Sequence, residues 1–182
     1  MNKELEKKLS DKFPFMKKGK SLIEQHNAGF IDDLYSAFGL ECGDGWYDLI
    51  YELCTEIQKA IDESRLPVNV EINQVKEKHG GLRFYYSLNF KENGLGSIDA
   101  NKRKELSEKI FKLTNIYEDK SYGVCELCGK PGKLREDLDW MQTLCEECYS
   151  KTKDKGHNII WVIKKYEDII KIFSLWTMPT GD

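Results

Sequence analysis

Two C-x-x-C pairs constrain this chain more than any other feature: Cys125 with Cys128, then Cys145 with Cys148 after a gap of sixteen residues. Each pair presents two thiolates from one tight turn, and Gly129 relieves the backbone just after the first. Four sulfurs so arranged form a closed tetrahedron, which suits one structural Zn2+ and leaves no position for a reacting water. Such a site staples a segment too short to bury its own core, and metal binding energy becomes folding energy. A redox disulfide needs only one such pair, and an iron–sulfur cluster is the minor alternative. His157, nine residues past Cys148, is not required as a ligand. Four of the six cysteines are spent in these pairs, a usage that favours metal over cystine in a reducing compartment.

The rest of the composition sets wider limits. At 182 residues the chain fits one moderate domain, or one domain with a small appendage. Its 40% hydrophobic and 12% aromatic content is enough for a packed core. A net charge of −3 gives no general basic face for nucleic acid. The charge is uneven, however: residues 1–20 net +4, while residues 31–63 net −8. The basic segment therefore either attaches to the acidic one, faces a partner, or is simply solvated. No run of ~18 apolar residues and no N-terminal apolar leader is present, so the expectation is a soluble, cytoplasmic protein with no membrane partner.

Periodicity places the elements. Leu5, Leu9 and Phe13 predict a short helix stopped by Pro14, and Phe30, Ile31, Leu34, Tyr35 and Phe38 a helical face ended by Gly39. The clearest helix carries Trp46, Leu49, Ile50, Leu53, Cys54, Ile57, Ala60 and Ile61 at helical spacing, with Cys54 as a buried small hydrophobe. Asp44 or Gly45 is its expected cap, and Asp48, Glu52 and Glu56 line a face better read as solvated than as cation-binding. From Val68 the period becomes two. Val68, Val70 and Ile72 form one strand face; Leu82, Phe84, Tyr86, Leu88 and Phe90 form another. Gly80-Gly81 supplies the reversal of an antiparallel hairpin, and the phase break at Val75 predicts a bulge near Gln74. Residues 91–97 read as a loop. Leu106, Ile110, Leu113 and Tyr117 mark a further helix with Ser97 or Asp99 as cap, and the apolar run Ile159–Ile163 opens a tail of undecided type.

These readings combine into an α+β fold: an antiparallel hairpin or small sheet packed on two amphipathic helices, with an integrated C-terminal zinc ribbon. The expected divisions are a helical extension at 1–37, a core at 38–121, the ribbon at 122–150 and a tail at 151–182 packing on the core. Within the ribbon, the cations Lys130, Lys133 and Arg135 are opposed by five acids, and Trp140 is expected to pack the ribbon on its own domain.

A second candidate site combines Gly43-Asp44-Gly45-Trp46 with the hairpin. Lys76, Lys78 and His79 lie near the turn, and Arg83 and Tyr85 lie on the face away from the core. Cations beside aromatic rings suit a phosphorylated, base-containing ligand, with Asp44 and Trp46 completing the contact set. The plain alternative is the wet face of an antiparallel sheet. Asp44 with His79 would form an acid–base pair only if the turn met the helix start. No nucleophile, metalloprotease, P-loop or dinucleotide motif appears, so a non-enzymatic protein is expected.

The blocks "FGLECGDGWYDLIYELC", "QVKEKHGGLRFYY" and "CELCGKPG…W…TLCEEC" together resemble a family of uncharacterised phage and prophage proteins. The resemblance covers about residues 38–90 and 122–148. It implies a setting more than a mechanism: a host cytoplasm, and a binding protein that captures a nucleotide-like immune signal or blocks a host defence protein. A nucleic-acid or protein adaptor built on the ribbon is the alternative, with nucleic acid the less favoured partner. Homo-oligomerisation stays open.

Overall fold

The computed structural model describes residues 1–30, 32–91 and 100–154. Ile31, the loop after Lys91, the two candidate caps Ser97 and Asp99, His157 and the Ile159–Ile163 run lie outside the described residues. Among the described residues the chain is a mixture of helices and two small sheets, and none of those helices is long and apolar enough to cross a membrane.

Helix α1 (Lys3–Lys12) starts where the Asn2 side chain accepts the Leu5 amide, and it ends before Pro14, as the apolar spacing predicts. Leu9, Phe13 and Met16 are buried in the main core. Apolar contact thus attaches the N-terminal segment. Lys7, Lys8 and Lys18 pair with acids of that same segment, and no ion pair joins residues 1–20 to residues 32–63 among the described residues. Short helix α2 (Leu22–Asn27), closed by a Ser21–Glu24 capping box, is an element that its few apolar residues did not disclose. Helix α3 spans only Leu34–Phe38, because Asp33 caps it. The predicted helical face from Phe30 is therefore corrected: Phe30 and Leu34 are exposed and Tyr35 is buried.

Helix α4 (Tyr47–Ser64) buries Leu49, Ile50, Leu53, Cys54, Ile57 and Ala60, the predicted stripe. Burial pushes the Cys54 thiol well up, which suits an inert core residue. The helix ends at Arg65, whose φ of 53° is left-handed, two residues before Pro67. Strand β1 (Leu40–Glu41) runs parallel to β2 (Val68–Lys78), which pairs antiparallel with β3 (Gly81–Phe90). The β2–β3 register shifts between Ile72 and Gln74, the bulge that the broken alternation predicts. Val70, Ile72, Val75, Leu82 and Phe84 share one buried core with α4 and α5 (Ala100–Ser121), and α5 packs on both β3 and α4. Helix α5 also runs along the β3 edge, where Ser121 Oγ accepts the Leu82 amide at 2.8 Å and Glu118 Oε1 accepts the Phe84 amide at 2.8 Å. Those side chains close an edge that would otherwise offer free donors.

The two residues of the hairpin turn are His79 and Gly80, with φ of 54° and 77°. The expected Gly80-Gly81 reversal is thus shifted by one position, and the first left-handed site falls on a histidine. A left-handed conformation costs an L-residue on the order of 1 kcal/mol. His79→Gly is therefore expected to raise stability by up to about 1 kcal/mol, read as a higher urea midpoint at unchanged slope. Gly81 is required for another reason, which lies in the packing of the cysteine module.

Candidate metal centre

The module begins where α5 ends. A tight turn closes as the Gly129 amide donates to Cys125 O at 2.9 Å and the Cys125 amide to Lys130 O at 2.8 Å. Gly129 takes the left-handed φ of 76° that the turn needs. Strands β4 (Lys133–Arg135) and β5 (Gln142–Leu144) then pair antiparallel and return the chain to Cys145. Cys148 sits in the first turn of α6 (Glu146–Asp154), and its amide donates to Cys145 Sγ at 3.5 Å.

All four sulfurs lie within 4.8 Å of one another, and Cys128 Sγ stands 3.6 Å from Cys145 Sγ. A tetrahedral ion bound at about 2.3 Å per sulfur requires sulfur–sulfur distances of about 3.8 Å. The four thiols therefore fit a metal ion with only small adjustments. Among the described residues they form the sole group of three or more His, Cys, Asp or Glu donors with ligand spacing; Asp48, Glu52 and Glu56 form none. The Cys148 amide, followed by the neighbouring thiols, brings Cys145 down to about 7. Burial, followed by the neighbouring sulfurs, pushes Cys148 up. Four sulfurs this close cannot all ionise without a cation between them.

The surroundings of the sulfurs are acidic and basic in balance. Every cation from Lys130 to Lys153 has a carboxylate partner: Lys130 and Lys151 pair with Glu147, Lys133 and Arg135 with Glu146, and Lys153 with Asp137. Arg135 is also buried under the Tyr149 ring, 4.0 Å from its centroid.

The module meets the core through two glycine-lined contacts, and both use the segments that the sequence had marked as a ligand site. In the first, the Gly43 amide donates to Glu126 Oε1 at 2.9 Å and the Gly45 amide to Glu126 O at 2.8 Å. The Trp46 indole donates to Val124 O at 2.9 Å. A Cβ on Gly43 would lie 2.3 Å from Glu126 O, and one on Gly45 would lie 2.3 Å from Cys125 O and 2.6 Å from Cys128 N. Backbone thus lies on backbone at the first cysteine turn. In the second contact, Thr143 Oγ1 donates to Gly80 O at 2.7 Å, and the Trp140 indole donates to Glu77 Oε2 at 2.5 Å. Glu77 Oε1 accepts the Gly80 amide at 2.7 Å. A Cβ on Gly80 would collide with Leu134, and one on Gly81 with the Tyr122 ring.

These contacts fix where each predicted ligand residue stands. Trp46 is fully buried, with its indole N–H already bonded. Asp44 does not cap α4: it lies in a short 3₁₀ turn (Asp44–Trp46), and its carboxylate accepts the Asn2 amide and side chain at 2.7 and 2.8 Å. No hydrogen bond or ion pair joins Asp44 to His79 among the described residues. Arg83 donates to Leu82 O and the Tyr122 hydroxyl and stands 4.0 Å from Glu118. Lys76 lies over the exposed Tyr85 ring at 5.8 Å, and Lys78 is exposed. Lys76, Lys78, Arg83 and Tyr85 thus share the hairpin, while Asp44 and Trp46 belong to the joint with the cysteine module. Trp140 was expected to pack the module on its own domain; its ring is instead exposed, and it reaches the core through its N–H to Glu77.

Sequence reasoning missed Glu126, Glu77, Thr143 and Tyr122, which make the joint. Glu126 and Glu77 are nearly inaccessible carboxylates. A polar residue between two metal-type cysteines carries no sign of burial, so only the adjacent glycines of the core offered a signal. No family model, curated protein or solved structure matches this chain.

Proposed function

We propose that this chain is a non-enzymatic binding protein, stapled by one structural Zn2+ on Cys125, Cys128, Cys145 and Cys148. The mutual approach of the four sulfurs carries the reading. All-sulfur tetrahedral donor sets suit zinc, with iron–sulfur the other occupant of such sites, and a fourth thiolate leaves no open position for chemistry. The metal's part is to hold the module folded. The ribbon docked on the α+β core gives the scaffold, and the hairpin presents the binding face.

The ligand this face suits is anionic and nucleotide-like. Lys76 and Lys78 supply charge and Tyr85 an exposed ring on which a base can stack, while Arg83 lies beside them with its two terminal nitrogens bonded to Leu82 O and the Tyr122 hydroxyl. Asp44 and Trp46 take no part in this reading, because both are engaged within the fold. The resemblance to phage and prophage proteins supplies the setting, a host cytoplasm in which a signal nucleotide or a defence protein is the target. The nucleic-acid adaptor is disfavoured by the pairing of the ribbon's cations.

A thermal-shift panel of linear and cyclic nucleotides tests the ligand. At least one member is expected to raise Tm, and Lys76→Ala with Lys78→Ala is expected to remove that rise without lowering the ligand-free Tm. Lys78 is exposed and Lys76 half-buried, and neither belongs to the buried core, so the double variant keeps the core packing. A panel with no stabilising member contradicts the nucleotide reading.

A further inference from the structure

We infer that metal occupancy sets the position of the hairpin tip, so that Lys76, Lys78, Arg83 and Tyr85 take their places together only in the metal-loaded protein. This rests on the metal reading above and extends it from a local staple to a coupling between two parts of the molecule.

The module has almost no core of its own. Its buried apolar residues are Cys125, Leu144 and Cys145, so two of the three are candidate metal ligands. Without the ion, nothing of comparable strength holds β4, β5 and the first cysteine turn in register. That same frame carries the module's contacts to Gly80 and Glu77. Thr143, next to Leu144 and Cys145, holds Gly80 O. Its own carbonyl accepts the Glu126 amide at 2.9 Å, which ties the first cysteine turn to the second. Leu134 lies against Gly80, and Trp140 holds the second oxygen of Glu77.

Loss of the frame would strip the hairpin tip of these partners. Glu77 would keep only the Gly80 amide, within its own turn, and the Gly80 carbonyl would lose its donor. Glu77 is flanked by Lys76 and Lys78, so its position fixes theirs. Tyr122, three residues before Cys125, packs on Gly81 and bonds Arg83. From Leu82 onward the hairpin is held differently, by the strand ladder and by α5, whose Ser121 and Glu118 take the Leu82 and Phe84 amides. The tip is therefore the part that responds to the metal.

Hydrogen exchange followed by mass spectrometry on the full chain, before and after a strong chelator, reads this coupling. Chelation is expected to speed exchange at least about tenfold across 122–149, Gly43–Trp46 and Glu77–Gly81. Peptides covering Leu53–Ala60 and Ser87–Asn89 are expected to stay protected. Faster exchange confined to 122–149, or spread evenly over the whole chain, overturns the inference. The combined variant Trp140→Phe, Thr143→Val tests the same link with metal bound. Its metal content should equal that of the parent, with faster exchange at Glu77–Gly81 alone; unchanged exchange there also overturns it. If the untreated protein carries no metal, the staple reading itself has failed, and the two failures are thereby told apart.

Discussion

Cys145→Ser is expected to give a protein that no longer retains its metal and melts at least ~10 °C below the parent, a loss of about 4 kcal/mol or more. Cys145 sits at the crossing of every support in the module. Its sulfur is 3.6 Å from Cys128 Sγ and accepts the Cys148 amide, and its carbonyl accepts the Tyr149 amide. Serine keeps the backbone bond but offers a poor ligand in place of a thiolate already brought down to about 7. Differential scanning calorimetry with metal analysis of the same sample checks both halves. A serine variant that melts with the parent would mean that the four cysteines are ordinary thiols.

Gly45→Ala is expected to cost about 3 kcal/mol, although it adds one methyl group to a position that is not deeply enclosed. The added Cβ would stand 2.3 Å from Cys125 O, 2.4 Å from Gly129 N and 2.6 Å from Cys128 N. All three are backbone atoms of the first cysteine turn, so no side chain can swing aside. The turn must either lift from the core, losing the Gly45 and Trp46 hydrogen bonds to it, or distort around its sulfurs. Gly123→Ala is the control: its Cβ meets only Lys120 O, at 3.5 Å, and that change should be nearly neutral. Urea denaturation of the two variants separates them, and equal midpoints would contradict the close backbone joint.

The legible parts of this fold were those written in a local period. The α4 stripe, the alternation of β2 and β3, and the bulge beside Gln74 follow from sequence because each element buries one face on a regular repeat. The four thiols were legible because metal ligation fixes residue type and spacing at once. Strand β1 was not, since two residues carry no period and its partner lies more than thirty positions on.

The motif "ECGDGW" shows why the rest was hidden. Its glycines read first as the start of a helix, and as a ligand-binding turn only if the hairpin lay beside them. Their need arises from Glu126 and Cys125, some eighty residues away, whose backbone occupies the space where side chains would be. Asp44 looked like a cap, yet Asn2 takes both of its oxygens. Likewise "KHGGLR" read as a turn of two glycines, whereas His79 takes the first left-handed position and Gly81 is small for the sake of Tyr122. The α4 start, the hairpin tip and the cysteine module are therefore one structural joint in space.

Native mass spectrometry of the full chain, purified without added metal, tests the central claim most directly. The account predicts one zinc per chain, with the four thiols of Cys125, Cys128, Cys145 and Cys148 resisting alkylation until a chelator removes the metal. A metal-free chain carrying two disulfides among Cys125, Cys128, Cys145 and Cys148 would contradict it.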